Sequence, residues 1–232
     1  MKKIGLIIFV AALLVGVIFA NFFSWGKASG KFFNVSVDFG AAKGSGNIGS
    51  EKRDIAGFSK IDASGIFQVE IVAQKDFAVE VEADDNLLQY IKTEVRGDTL
   101  EISLEKRIKT SNPLRVRISA PNIDGIEASG VVRVSVADLK NSELAVNTSG
   151  ASKIKLAGET GVLTIDVSGA SNIEAGELSA ANANVDASGA SQVNVNVSGE
   201  LVADASGASR ISYTGNATVS KSISGASSVS QR

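Results

Sequence analysis

The tetrapeptide Ser-Gly-Ala-Ser occurs five times in the second half of the chain, beginning at Ser149, Ser168, Ser188, Ser206 and Ser224. Two earlier stretches, IDASGIFQVEI and IEASGVVRVSV, fit the same frame with serines at Ser64 and Ser129. From Ser129 onward, successive serines are 20, 19, 20, 18 and 18 residues apart. A period this short and this constant is too small for a pair of helices and is typical of one coil of a β-solenoid.

Apolar and polar residues alternate on both sides of each serine. The fifth position after the serine is apolar in all seven units, namely Val69, Val134, Ile154, Ile173, Val193, Ile211 and Val229. The second position before it is polar in the five full copies, with Asn147, Asp166, Asp186 and Asp204 in the first four. This period of two predicts half-buried strands whose apolar columns point inward, while the acidic column and the first serine point outward.

The sequence therefore predicts an all-β fold, a right-handed parallel β-helix with coils of 18–20 residues; a sandwich or a barrel is the alternative. Each coil must turn a corner at the same step, and glycine permits the backbone conformation and the close approach that a corner needs. We expect these structural corners at Gly150, Gly169, Gly189, Gly207 and Gly225.

The outward acidic column has two interpretations. Stacked carboxylates are ligands that calcium accepts. However, the glycine-rich nonapeptide of calcium-binding solenoids is missing, which favours a row of solvated side chains.

The amino terminus is predicted to be a membrane anchor. Lys2 and Lys3 precede an apolar run from Ile4 to Phe23, close to the length that crosses a bilayer as a helix. Residues 1–29 are thus interpreted as a single transmembrane helix, which places the rest on the extracytoplasmic side of a bacterial cell membrane. If Gly26-Lys27-Ala28 is a cleavage site instead, the protein is secreted.

Residues 30–50 are interpreted as a flexible linker, and residues 51–232 as the β-helix domain. Within it, residues 51–121 are predicted to be irregular and residues 122–232 to form the regular coils. Gly97-Asp98 predicts a hairpin turn, and DDNLLQYI predicts a helical turn capped by Asp84 or Asp85. The inward side chains of the irregular part should be Val79, Val81, Leu100, Ile102, Leu104, Val116 and Ile118.

The composition argues against several kinds of chemistry. The chain has no His and no Cys, which removes the commonest general base, the commonest metal ligand and the thiol nucleophile. Its formal charge of −2 gives no reason to expect nucleic-acid binding. Gly44 to Gly49 matches the glycine spacing of a dinucleotide site, but no strand–turn–helix unit surrounds it. We predict no catalytic residue, no metal and no cofactor.

One cluster of cations is a candidate interaction surface, formed by Lys106, Arg107, Lys109, Arg115 and Arg117. Glu80, Glu82, Glu101 and Glu105 occupy outward positions of neighbouring predicted strands, so cross-strand ion pairing explains the cluster without a ligand. The alternative is contact with anionic lipid headgroups or an acidic envelope polymer.

Several of these features occur together in one bacterial family. The apolar amino terminus, the GSGN element, EKRDIAGFSKIDASGIFQVEI, the VRGDTLEISL hairpin and the serial SGAS coils resemble the putative auto-transporter adhesin, head GIN domain family. The resemblance covers about residues 44–232. It implies a β-helix in the cell envelope and brings no established catalytic residues.

Three functions are consistent with the sequence. The first is a non-catalytic, membrane-tethered scaffold or adhesion protein that binds an envelope polymer, a lipid or a protein. The second is a lipid or lipoglycan binder, and the third is a polysaccharide-active enzyme. In addition, the short polar end SISGASSVSQR leaves a strand edge open, which predicts a homo-oligomer through the C-terminal coil.

Overall fold

A computed structural model describes residues 40–232, which are almost entirely β-structure. The strands are β1 Ala42–Lys43, β2 Ile48–Arg53, β3 Lys60–Gly65, β4 Gln68–Val72, β5 Ala78–Asp84, β6 Ile91–Arg96, β7 Thr99–Leu104, β8 Ile108–Lys109, β9 Arg115–Ser119, β10 Gly125–Gly130, β11 Arg133–Gly150, β12 Lys153–Val167, β13 Asn172–Ala187, β14 Gln192–Val197, β15 Glu200–Ala205, β16 Arg210–Thr214, β17 Thr218–Ile223 and β18 Ser228–Gln231. A 3-10 helix, Asp85–Tyr90, lies between β5 and β6.

The regular part is a parallel stack of about five turns, which confirms the predicted β-solenoid. On one face, β3 pairs with β10, β10 with the end of β11, and the ladder continues through β12, β13, β15 and β17. On the other face, β4 pairs with the start of β11, and that ladder runs through β12, β13, β14, β16 and β18. The long strands β11, β12 and β13 contribute to both faces. The register shifts once in each of the pairings β11–β12, β12–β13 and β13–β14.

The register agrees with the predicted frame. Ser129 pairs with Ser64 on one side and with Ser149 on the other. All seven residues at the fifth position after the serine are buried, with exposures between 0% and the 6% of Val229. Apolar side chains at this step stack from coil to coil and form one continuous core.

Residues 51–121 are less irregular than predicted, because part of them already belongs to the stack. Strands β3 and β4 form its first complete coil. The later coils pair with one side of this first coil. Strands β7 and β9 pair with its other side, β7 with β3 and β9 with β4. Antiparallel partners complete this end, with β6 on β7, β5 on β9 and β2 on β5. This segment therefore caps the solenoid.

The predicted local features of this segment are mostly confirmed. β6 and β7 form the hairpin around Gly97, and the predicted inward residues are buried except Leu104, which is only partly buried. The helical turn is confirmed as Asp85–Tyr90. The predicted side-chain cap is wrong for Asp84, because its carboxylate is buried and bonded to Thr110 and Asn112 instead.

The fold begins before the predicted boundary at residue 51. β1 pairs with β8, and β2 starts at Ile48 and runs antiparallel to β5. Residues 42–50 are thus held by backbone ladders, and the stretch predicted to be a linker contains part of the cap. Between residues 40 and 232, no helix has the length and apolar character that crossing a membrane requires. The predicted helix within residues 1–29 lies outside the described residues.

Candidate functional site

The SGAS corners are built by the backbone. Gly150, Gly169, Gly189, Gly207 and Gly225 all have positive φ, between 72° and 90°. In each coil the alanine amide donates to the glycine carbonyl of the preceding coil, as Ala170 does to Gly150 at 2.8 Å. The second serine of the tetrapeptide faces the interior. Ser191 is 2% exposed and donates to the carbonyl oxygen of Ser188 at 3.0 Å, so it is a buried structural hydroxyl.

The outward acidic column lies where the sequence places it. Asn147 pairs with Asp166, Asp166 with Asp186 and Asp186 with Asp204. Glu127 precedes Asn147 in the same row, and a shallow concavity of about 190 Å³ lies between this row and the outward serines Ser149 and Ser168. Among residues 40–232, no three His, Cys, Asp or Glu side chains are arranged as ligands for a metal ion.

The predicted cation cluster is divided between two sheets. Arg115 and Arg117 lie on β9 in the large sheet, whereas Lys109 lies on β8, which pairs only with β1 in a separate two-stranded sheet. Lys106 places its ammonium 3.5 Å from the centroid of the Tyr90 ring, a cation–π contact, and Arg107 follows it as an exposed side chain. The five cations therefore do not share one sheet.

The two arginines of β9 are held in a carboxylate network. Arg117 lies 3.2 Å from Glu82, 3.5 Å from Glu70 and 3.6 Å from Glu80, and Arg115 contacts Glu82 and Glu70. Burial works against the charge of Arg117, but these carboxylates outweigh it and raise the pKa of its guanidinium. The pKa of Glu80 is lowered, first by the hydrogen bond from Ser50 and also by Arg117. Cross-strand ion pairing thus accounts for Arg115 and Arg117, with Glu80 and Glu82 as predicted.

The GSGN element packs against the 3-10 helix. Ser45 donates its amide to the Asn86 side chain at 2.9 Å and its hydroxyl to Asp85 at 2.5 Å, while Asp85 donates its amide to the carbonyl of Asn47 at 2.8 Å. A Cβ at Gly44 would lie 1.7 Å from the buried carboxylate of Asp84. The glycines therefore allow close packing of the cap.

The sequence did not indicate a groove beside β5. Two adjoining concavities of about 710 and 650 Å³ share Lys75, Phe77, Ala78 and Ser119. Strand β5 begins only at Ala78, so Phe77 precedes the ladder and its side chain is 36% exposed. The sequence contained only a weak indication of this groove. Phe77 alternates in phase with the inward residues Val79 and Val81, and this pattern by itself predicts a buried ring.

The fold defines the class of protein as a capped parallel β-solenoid. Its coils are stacked, antiparallel strands cap one end, and the described chain has no helical layer. A family model described as "Putative auto-transporter adhesin, head GIN domain" matches residues 57–217. The chain belongs to this family. No protein of curated description matches it.

Solved structures have the same fold. A "putative adhesin" from Bacteroides fragilis NCTC 9343 is similar with a TM-score of 0.66 and 23% identity, over 82% of this chain and 99% of that one. A "putative lipid binding protein" from Parabacteroides distasonis ATCC 8503 has a TM-score of 0.52 and 19% identity, over 83% and 99%. A "putative adhesin" from Parabacteroides merdae ATCC 43184 has a TM-score of 0.53 and 18% identity, over 83% and 99%. At these identities the likeness concerns the fold.

Proposed function

We propose that the protein is a non-catalytic binding scaffold of the bacterial cell envelope. The observation that carries this proposal is the parallel register of the outward face, in which each coil repeats the same outward row at the same step. Such a stack presents an extended surface, the kind of surface on which repeat proteins bind their partners. Membership of a family described as an auto-transporter adhesin supports the same role.

The chemistry of the coils supports a binding function more than a catalytic one. Ser209, for example, is 2% exposed and donates to the Ala187 carbonyl oxygen at 2.9 Å, so its hydroxyl is a core contact. In the cap, Arg115 and Arg117 are engaged by carboxylates of the same sheet. A polysaccharide-active enzyme would need an acid and a base that flank a bound sugar at a cleft.

The proposed tethering rests on the apolar run after Lys2 and Lys3. A single anchor would place the solenoid on the extracytoplasmic side of the membrane. Fractionation of cells tests this part: the protein should remain with membranes through a high-salt wash, and protease added to intact spheroplasts should digest the solenoid. Recovery in the culture medium of a chain shortened at its amino terminus would favour cleavage and secretion.

Binding is tested with the purified full chain and isolated cell envelopes. We expect saturable co-sedimentation and no release of reducing ends from envelope polysaccharide. Reducing ends that appear in proportion to added protein would contradict the non-catalytic proposal in favour of the enzyme. No co-sedimentation at any concentration would contradict the binding role.

An anionic-lipid surface is the second candidate, supported by the cations Lys106 and Arg107 beside the cap and by the description of one structural neighbour as a lipid binding protein. Vesicles of phosphatidylglycerol test it, with phosphatidylcholine vesicles as the reference. Charge reversal at Lys106 and Arg107 is the informative variant. The same change at Arg115 and Arg117 would break the carboxylate network and disturb the fold.

A further inference from the structure

We propose that the groove beside β5 binds a neutral glycan. This inference rests on the proposed binding function and names its site and ligand class. The groove is defined here by six residues, Lys52, Asp54, Lys75, Asp76, Phe77 and Ser119, and is called the Phe77 groove. It lies on the cap, where the regular alternation of the coils is interrupted and side chains of several elements converge.

The Phe77 ring supplies a fixed apolar platform. It packs on Phe58, with ring centroids 5.1 Å apart and planes at 59°. Phe58 is 3% exposed, so it anchors the ring, while Phe77 remains 36% exposed to the groove. Because the face of an aromatic ring is electron-rich, it attracts the weakly positive C–H groups that a pyranose presents on one side. An exposed ring held in this way is suited to stacking against a sugar.

The polar groups around the ring are mixed in sign. Arg53 is paired with Glu51 at 3.1 Å, and Arg117 is paired with three glutamates, so neither charge is available to a ligand. Lys75 remains as a donor, and Asp54 and Asp76 remain as acceptors; Lys52 is a further cation, which faces Glu80 across the β2–β5 pair. Within the described residues, no hydrogen bond or ion pair within 4.0 Å engages these four side chains.

This balance selects the ligand class. A sugar hydroxyl both donates and accepts hydrogen bonds, so it can use ammonium and carboxylate groups placed side by side. A polyanion would gain from the two lysines and lose to the two aspartates. An acyl chain needs a longer apolar channel, but Val79 and Ile118, which also line the groove, are only 2% and 3% exposed.

The groove is preorganised. Gln74 has a positive φ of 60°, and its side-chain amide donates to the carbonyls of Pro121 at 3.3 Å and Lys140 at 3.1 Å. The Lys75 amide donates to the Ala120 carbonyl at 3.2 Å, and the Ser119 hydroxyl donates to the Asp76 carbonyl at 2.6 Å. The segment between β4 and β5 is thus fixed by both of its neighbours, so a ligand would not have to order it.

Titration calorimetry with the full chain tests the proposal. The probes are neutral tetrasaccharides of glucose, mannose, galactose and N-acetylglucosamine, with tetragalacturonate and phosphatidylglycerol vesicles as charged comparisons. We expect at least one neutral tetrasaccharide to bind saturably. Phe77→Ala should weaken binding about tenfold or more, since it removes the apolar platform. Lys75→Ala should weaken it less, and Phe77→Tyr should retain it.

The matched control is Val202→Ala, which truncates an apolar side chain of similar exposure, 37%, on β15. Its affinity should equal that of the wild type. Because Phe77 also packs on Phe58, thermal unfolding of Phe77→Ala must show a folded protein; if it does not, Lys75→Ala and Phe77→Tyr decide the result.

Two results would overturn the inference: no binding of any neutral tetrasaccharide at millimolar concentration, or neutral binding that none of the groove variants changes. Saturable binding of tetragalacturonate alone, weakened by the groove variants, would also overturn it and would assign the groove to an anionic polymer; vesicle binding that Phe77→Ala weakens would assign it to a membrane. Failure here is distinguishable from failure of the proposed function, because envelope co-sedimentation is measured separately with the same variants.

Discussion

Gly169 illustrates how the corner depends on single atoms. Its φ is +83°, and a Cβ there would lie 2.4 Å from the carbonyl oxygen of Gly150 in the preceding coil. That oxygen also accepts the Ala170 amide at 2.8 Å. A side chain would therefore be strained by its own backbone and would push apart a hydrogen bond between coils.

We predict that Gly169→Ala destabilises the protein by about 2–4 kcal/mol. Gly176→Ala is the matched control, since Gly176 lies in the next strand without a positive φ, and a Cβ added there would have no atom within 4 Å. Its effect should stay within about 0.5 kcal/mol. Urea denaturation measures both variants, and equal effects would show that the corner is not the cause.

Asp84 is the second residue whose environment has a measurable consequence. It is 1% exposed, and Thr110 and Asn112 donate to its carboxylate at 2.6 and 2.5 Å. The hydrogen bond from Thr110, followed by those from Asn112 and the Gly46 amide, lowers the pKa of Asp84 against the opposing effect of burial. The ionised form is thus the one that ties three segments of the cap together.

The pKa of Asp84 is lower in the folded state than in the unfolded chain. The stabilisation by Asp84 is therefore present when the pH is above the pKa of the unfolded state, and it is lost as the pH falls through the pKa of the folded state. Asp84→Asn should lower the melting temperature by several degrees at neutral pH, because the NH₂ group of the new amide would face Thr110 or Asn112, which are themselves donors at this position. The gap from the wild type should shrink below about pH 4. Melting curves across pH check this, with the exposed Asp54→Asn as control. A gap that does not change with pH would contradict it.

At the scale of elements, the last coil differs from those before it. The inward column that contains Val146, Ile165, Val185 and Ala203 continues into Lys221 on β17. The Lys221 ammonium reaches the Val229 carbonyl oxygen at 3.5 Å, across the open end of the core. An inward-pointing charge at an edge opposes the addition of another strand, because pairing would bury it. Lys221 therefore opposes the self-association that the open C-terminal edge predicts.

We predict that Lys221→Val promotes self-association through β17 and β18. Light scattering over a range of concentrations should show a larger mass for this variant than for the wild type. Ser222→Val is the control, because it adds the same side chain on the same strand at the outward step. A variant mass that matches the wild type at every concentration would count against a guarding role for Lys221.

At the scale of the whole molecule, the two ends of the stack are unequal. The N-terminal end is covered by antiparallel strands and the 3-10 helix, whereas β17 and β18 each pair on one side only. In a stack of coils, stability comes from contacts with the adjacent coils, and a terminal coil has one neighbour. We therefore expect opening to begin at the C-terminal coil.

Hydrogen exchange measures this order directly. Amides of β17 and β18 should exchange fastest among the strands of the stack, and those of β12, which is paired on both sides, should exchange slowest. Dilution of the sample should leave the pattern unchanged. Protection of β17 that rises with protein concentration would instead reveal a second copy on that edge.

Much of this structure was predictable because a solenoid repeats one local solution. Alternation identified the inward residues, and the constant spacing between serines identified the parallel register, since each coil must present the same residue at the same step. The outward column from Asn147 to Asp204 and the corner glycines followed from that register alone.

The tertiary structure decided what does not repeat. No sequence pattern indicated that β7 and β9 return beneath the first coil, because that order depends on which edge of the coil is left open. Sequence proximity also grouped Arg115 and Arg117 in one patch with Lys106, Arg107 and Lys109, although these residues lie in different sheets or loops. The Phe77 groove is formed by segments far apart in sequence. Local periodicity determines a coil, and long-range pairing determines its cap and the site on it.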